Sequence, residues 1–172
     1  ISLKGTALLY DYDDYKITVK LPRKYTKEEK FTIYIKYTAR PEKVKEKGSN
    51  AITSAKGLYF INADGADKNK PTQIWTQGET EGSSCWFPTL DAPNQKTTQE
   101  IYITVPNKYA TLSNGELISQ TIEKEKRTDY WKMDQKHAPY LVFLGVGAFE
   151  VVKDSYKDIA VNYYVEKEYA KY

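Results

Sequence analysis

Residues 76 to 106, TQGETEGSSCWFPTLDAPNQKTTQEIYITVP, join a turn-rich segment to a strand, and that junction decides how the rest of the chain is read. Its C-terminal end alternates. Ile101, Ile103 and Val105 are separated by Tyr102 and Thr104, the period of two that puts alternate side chains on one face of a β-strand. Near its start stand Gln77 and Glu79, and in an extended chain their spacing sends both side chains to one face, an amide beside a carboxylate. The aromatic, proline-punctuated turn that follows, with Trp86, Phe87, Pro88, Asp91 and Pro93, is expected to hold that strand end rigid. Spacing alone leaves open whether Gln77 and Glu79 meet a ligand or only water, because polar i, i+2 pairs are common on solvated strand faces.

The same alternation recurs on both sides of this stretch. Ile17, Val19 and Leu21 form one run, Phe31, Ile33, Ile35 and Tyr37 another, and Ile159, Val161, Tyr163 and Val165 a third, while sustained apolar spacing of three and four is nearly absent. Turn signals such as LPRKYTKEE, RPEKVKEKGSN (residues 40–50), INADGADKNKP and SNGE separate the runs. The expectation is an all-β fold of about eight to eleven strands, arranged as a two-sheet antiparallel β-sandwich. The longest apolar run, Tyr140 to Val152, is too short to cross a bilayer as a helix and contains Gly145 and Gly147; it reads as a buried strand with a bend. The charged, helix-forming VEKEYAKY at the C-terminus reads as the start of a linker, which gives a domain over 1–165 and linker residues at 166–172.

A length of 172 residues fits one domain. The formal charge of +3 comes from interleaved lysines and acids rather than a basic stripe, and the sixteen tyrosines fall mostly within strand-like runs. Nucleic-acid binding is therefore not expected. The single cysteine, Cys85, excludes an intrachain disulfide and a thiolate cluster and reads as a buried, inert thiol. With one histidine, His137, the chain can assemble neither an HExxH zinc site nor a histidine-based catalytic pair. The adjacent carboxylates Asp13–Asp14 and the pair Glu79 and Glu81 lack the separate facing supports that acid–base hydrolysis of a glycoside needs. No catalytic residue and no metal ligand is assigned. The chain opens on Ile1 without an apolar leader and is expected to be a processed or cut piece of something longer.

Taken in order, these residues resemble the N-terminal domain of the membrane alanyl aminopeptidase family, the zinc gluzincins that include leukotriene hydrolase. Thr76, Gln77 and Glu79 match its T-Q-x-[EQ] step, Phe87 and Pro88 its aromatic-proline turn, Asp91 and Pro93 its Asp-x-Pro step, and Lys96 the residue before its strand. FTIYIKYTA (residues 31–39), GLYF (57–60), LSN (112–114), PYLVFLGVGAFE and NYYVEKEYA extend the likeness collinearly over nearly the whole chain. Ser84, Thr89 and Ala92 depart from the Arg, Cys and Glu common in the family. Gly147-Ala148-Phe149-Glu150 is followed by Val151 where the family's exopeptidase motif has Asn, so it is given no catalytic role.

The resemblance implies a saddle-like β-sandwich. It places the zinc, its ligands and the transition-state tyrosine in a following catalytic domain outside these residues, so this chain would hold no cofactor and be inactive by itself. Its partners would be that catalytic domain of the same polypeptide and the N-terminus of a peptide substrate, with Gln77 and Glu79 beside the free α-ammonium group. An extracytoplasmic address, periplasmic or in the cell envelope, is favoured over a cytoplasmic one. Two alternatives stand beside this reading: a free-standing β-sandwich binding or scaffolding module, and a domain of a catalytically dead homologue.

Overall fold

The regular elements are almost all strands, and every ladder is antiparallel. The computed structural model describes residues 1–44 and 55–172, which fall into two compact units, Ile1–Thr38 and Ala39–Tyr172. In the first unit, β1 (Ser2–Leu3) pairs with β2 (Thr6–Ala7) on one side and β5 (Ile33–Tyr34) on the other; β3 (Tyr10–Tyr12) and β4 (Ile17–Val19) form a hairpin. Its turn explains the acidic pair in YDYDDY. Asp13 Oδ1 accepts the backbone N–H groups of Lys16 at 2.7 Å and Tyr15 at 3.1 Å, and those bonds, Lys16 first, hold its carboxyl below the usual carboxylate range. The alternating run Phe31 to Tyr37 yields only the two residues of β5, because the β1 strand it pairs with is itself two residues long.

The second unit contains β6 (Gly57–Ile61), β7 (Gln73–Gln77), β8 (Thr97–Pro106), β9 (Ala110–Ser113), β10 (Glu116–Glu123), β11 (Lys126–His137), β12 (Leu144–Gly147), β13 (Phe149–Tyr156) and β14 (Ile159–Glu166). A four-stranded sheet runs β6-β7-β12-β9, a three-stranded sheet β10-β11-β8, and β13 and β14 form a hairpin. The two sheets meet over a cluster of Ile103, Trp131 and Val146, with Ile74, Ile101, Val105, Leu112 and Leu144 packed around it. The period-two face read from Ile101, Ile103 and Val105 is thus the inner face of β8. The apolar run from Tyr140 breaks into a 3₁₀ turn at Pro139–Leu141, then β12 and β13 on either side of Ala148.

The expectation for the C-terminus changes in this unit. VEKEYAKY is not helical: β14 extends through Glu166 and turns of the kind Tyr169 N–H to Glu166 O, 2.9 Å, follow it. Eight residues, four of them charged, without a cap cannot offset the entropy of nucleating a helix. In the turn signal at residues 40–50, Pro41–Lys43 form a 3₁₀ turn, and 45–50 lie outside the described residues.

Between the sheets runs a polar chain. The Trp131 indole N–H donates to Thr111 Oγ1 at 3.0 Å, the Thr111 hydroxyl donates to Asp129 Oδ2 at 2.6 Å, and Arg127 Nε donates to both Asp129 oxygens at 2.8 and 2.9 Å. Asp129 is wholly buried, so its charge is tolerated only because these donors replace water. Asp129→Ala should lower the unfolding free energy by about 3 kcal/mol in urea titration, and a loss under ~1 kcal/mol would show that the chain of bonds adds nothing beyond filled space.

Across β8 and β11, Tyr102 and Tyr130 stack with centroids 4.3 Å apart, and the Tyr130 hydroxyl donates to Glu100 Oε2 at 2.7 Å. That carboxylate pushes the Tyr130 phenol up to about 12. Because the folded value is raised, the bond's stabilisation is complete below about pH 10, the unfolded tyrosine value, and is lost as pH rises through about 12. A difference ultraviolet titration of wild type against Tyr130→Phe should show one late-ionising tyrosine, which Glu100→Gln should return toward about 10.

Candidate functional site

The segment read as a possible ligand site begins where β7 ends. Its last strand residue is Gln77; Gly78 follows, and Glu79, Thr80 and Glu81 form an exposed turn closed by the Gly82 N–H on Gly78 O at 2.8 Å. The Glu79–Thr80 peptide is cis. Because β7 ends at Gln77, the extended geometry that would put Gln77 and Glu79 on one face stops there, and a turn, not the strand pleat, carries Glu79. Among the described residues, no hydrogen bond or ion pair engages the side chain of either residue. Both remain available, the amide half-buried and the carboxylate exposed.

The ground beneath them is fixed. Thr76, buried on β7, donates its hydroxyl to Val142 O at 3.3 Å and accepts the Leu144 N–H at 3.0 Å. Ser83, with no exposed surface, donates to Pro139 O at 2.8 Å. Gly78 lies so close to this same segment that a Cβ there would stand 2.6 Å from Tyr140 O. From the other side, Asn114 accepts the Phe143 N–H at 2.6 Å and donates to Leu141 O at 3.0 Å, while Ser113 donates to Phe143 O at 2.7 Å. Residues 138–144 are thereby held between β7 with its following turn and the end of β9.

The turn residues singled out in the sequence fall just beyond. Ser83–Cys85 form a 3₁₀ turn, Trp86 and Phe87 are half-buried and meet edge to face at 4.6 Å, and Asp91 Oδ2 accepts the Ser84 N–H at 2.7 Å. Pro88 and Pro93 are exposed. Cys85 is half-buried rather than buried and donates its thiol to Ala55 O at 3.1 Å. His137, buried at the end of β11, shares a contact of 3.3 Å with Gln99, whose amide donates to Ser113 at 3.1 Å. It thus joins the structural network behind Phe143. Sequence reading missed the braces Thr76 and Ser83 as such; a hydroxyl flanking each end of an exposed acidic turn was the available signal. Among the described residues no group of three or more His, Cys, Asp or Glu side chains could hold a metal ion, and no helix is long and apolar enough to cross a membrane.

Residues 3–141 match the family described as Peptidase M1 N-terminal domain. The chain belongs to this family. Among curated relatives, it is 33% identical over 104 residues to the Tricorn protease-interacting factor F2 of Thermoplasma acidophilum, a match covering 60% of this chain and 12% of that protein. It is 28% identical over 132 residues to Probable aminopeptidase 1 of Sulfurisphaera tokodaii, covering 77% of this chain and 16% of the relative. Transcription initiation factor TFIID subunit 2 of Gallus gallus is 26% identical over 104 residues, 58% of this chain and 9% of that one. In fold, this M1 N-terminal domain is similar to the M1 zinc metallopeptidase of Deinococcus radiodurans, with a TM-score of 0.64 at 16% identity over 94% of this chain and 35% of that one. It spans a minor part of each of these proteins.

Close packing at the site gives a direct test. Gly57, opposite Gln77 at the start of β6, has φ +68°, and a Cβ there would fall 1.8 Å from Gly82 O and 3.0 Å from the Trp86 ring. Gly57→Ala should cost about 3 kcal/mol of stability in denaturant titration and shift Trp86 fluorescence, since both the left-handed backbone and the clash oppose it.

Proposed function

We propose that this M1 N-terminal domain is the non-catalytic part of a zinc-dependent aminopeptidase, spanning 1–165 with 166–172 beginning the linker, and that it packs on the catalytic domain of the same polypeptide. In this reading Gln77 and Glu79 bind the N-terminal amine of a peptide substrate. One observation carries it: an unengaged amide at the end of β7 and an unengaged carboxylate two residues on, in a turn whose flanks are hydrogen-bonded into the fold. A carboxylate so placed attracts an ammonium group, and a neighbouring amide oxygen can accept one of its protons. Holding the amine fixes where the first peptide bond lies, which is the physical meaning of cutting one residue at a time from the N-terminus. Hydrolysis itself belongs to zinc and to residues outside this chain.

The match to a subunit of a transcription initiation factor favours a second reading, in which the same domain serves as a scaffold in a protein without peptidase activity. The reading frame beyond Tyr172 separates the two: an HExxH followed at some distance by Glu supports the peptidase, and its absence the scaffold. In the complete polypeptide, Glu79→Ala should lower kcat/KM for aminoacyl substrates at least about tenfold, roughly 1.4 kcal/mol. Unchanged kinetics would remove Glu79 from the substrate site.

A further inference from the structure

The turn that presents Glu79 is tied to one segment at both of its feet. On the near side Thr76 bonds Val142 O and Leu144 N; on the far side Ser83 bonds Pro139 O; between them Gly78 lies against the Tyr140 backbone. Ser83 is the more telling of the two anchors. It has no exposed surface, whereas Glu79, Thr80 and Glu81 a few residues earlier are exposed, so the hydroxyl marks the point where the turn re-enters the packed interior. A backbone carbonyl inside the protein accepts a bond from a side chain of one rotatable angle, which leaves the turn little freedom to pivot about that foot.

We infer that Ser83, together with Thr76, is a positioning residue for substrate-amine recognition: the two hydroxyls set the direction in which the Gly78–Gly82 turn presents the Glu79 carboxylate. The inference rests on the amine-binding reading of Glu79 given above. It follows from how steeply a charge-assisted hydrogen bond weakens with misplacement. A turn released at one foot still carries the carboxylate, but the ammonium group then meets it over a range of orientations, and the loss falls on substrate binding rather than on chemistry at a distant metal.

The test is a double-mutant cycle in the complete polypeptide, measuring kcat, KM and melting temperature with aminoacyl substrates for Ser83→Ala, Glu79→Ala and both together. Ser83→Ala should raise KM about threefold to tenfold with kcat nearly unchanged, and should add little in the Glu79→Ala background, because it acts through that carboxylate. Thr76→Val should raise KM similarly, and Thr76→Ser, which keeps the hydroxyl, should restore most of the loss; this pair decides the matter if Ser83→Ala does not fold. Equal, additive effects of Ser83→Ala in both backgrounds, or a lowered melting temperature with KM unchanged, would overturn the positioning role while leaving Glu79 as the amine anchor. No effect of Glu79→Ala would overturn both.

Discussion

The non-regular segment from Ala138 to Leu144 is the constraint on which the candidate site depends. Its backbone receives side chains from three directions: Thr76 at the end of β7, Ser83 in the turn beyond it, and Ser113 and Asn114 at the end of β9. A non-regular segment inside a fold must satisfy its peptide groups somehow, and here hydroxyls and one amide do what a neighbouring strand would otherwise do. The by-product is geometric. The bonds that satisfy Pro139, Val142 and Leu144 also fix the feet of the turn that carries Glu79, while Ser113 and Asn114 hold Leu141 and Phe143 from the other side.

The interior of the sandwich shows a related economy of polar groups. Asp129 is wholly buried between the sheets, yet its two oxygens are met by Arg127 and Thr111, and Thr111 in turn takes the Trp131 N–H. The arrangement links β9 of one sheet to β11 of the other, so it fixes how the sheets lie on one another as well as how tightly they adhere. β9 also carries Ser113, which helps hold the brace. Sheet packing and site geometry therefore share an element.

How much of this was legible in the sequence follows from the range of each interaction. Ile101, Ile103 and Val105 announced β8 and its inner face because alternation is a local signal. The same signal over Phe31 to Tyr37 overstated a strand, since the length of a ladder is set by its partner, which local pattern does not reveal. The charged C-terminal stretch read as helical by composition is a set of turns, where propensity meets no tertiary support. At the site, Gln77 and Glu79 could be picked out, and family membership agrees with the resemblance that singled them out. Their setting could not: Ser83 finds Pro139 fifty-six positions away and Thr76 finds Val142 across sixty-six, contacts that no periodicity encodes. The shared strand face assumed from spacing does not hold, because a turn follows Gln77 where a strand was assumed.

The division of labour that emerges is simple in physical terms. A rigid β scaffold offers one exposed carboxylate and one amide at a braced turn, and the reacting groups of the proposed enzyme would be supplied from elsewhere. The most direct measurement is a crystal structure of the complete polypeptide with a peptide bound. The account predicts the substrate ammonium nitrogen within about 2.7–3.2 Å of a Glu79 carboxylate oxygen, with Ser83 still bonded to Pro139. An ammonium group held by other residues, with Glu79 turned to solvent, would contradict it.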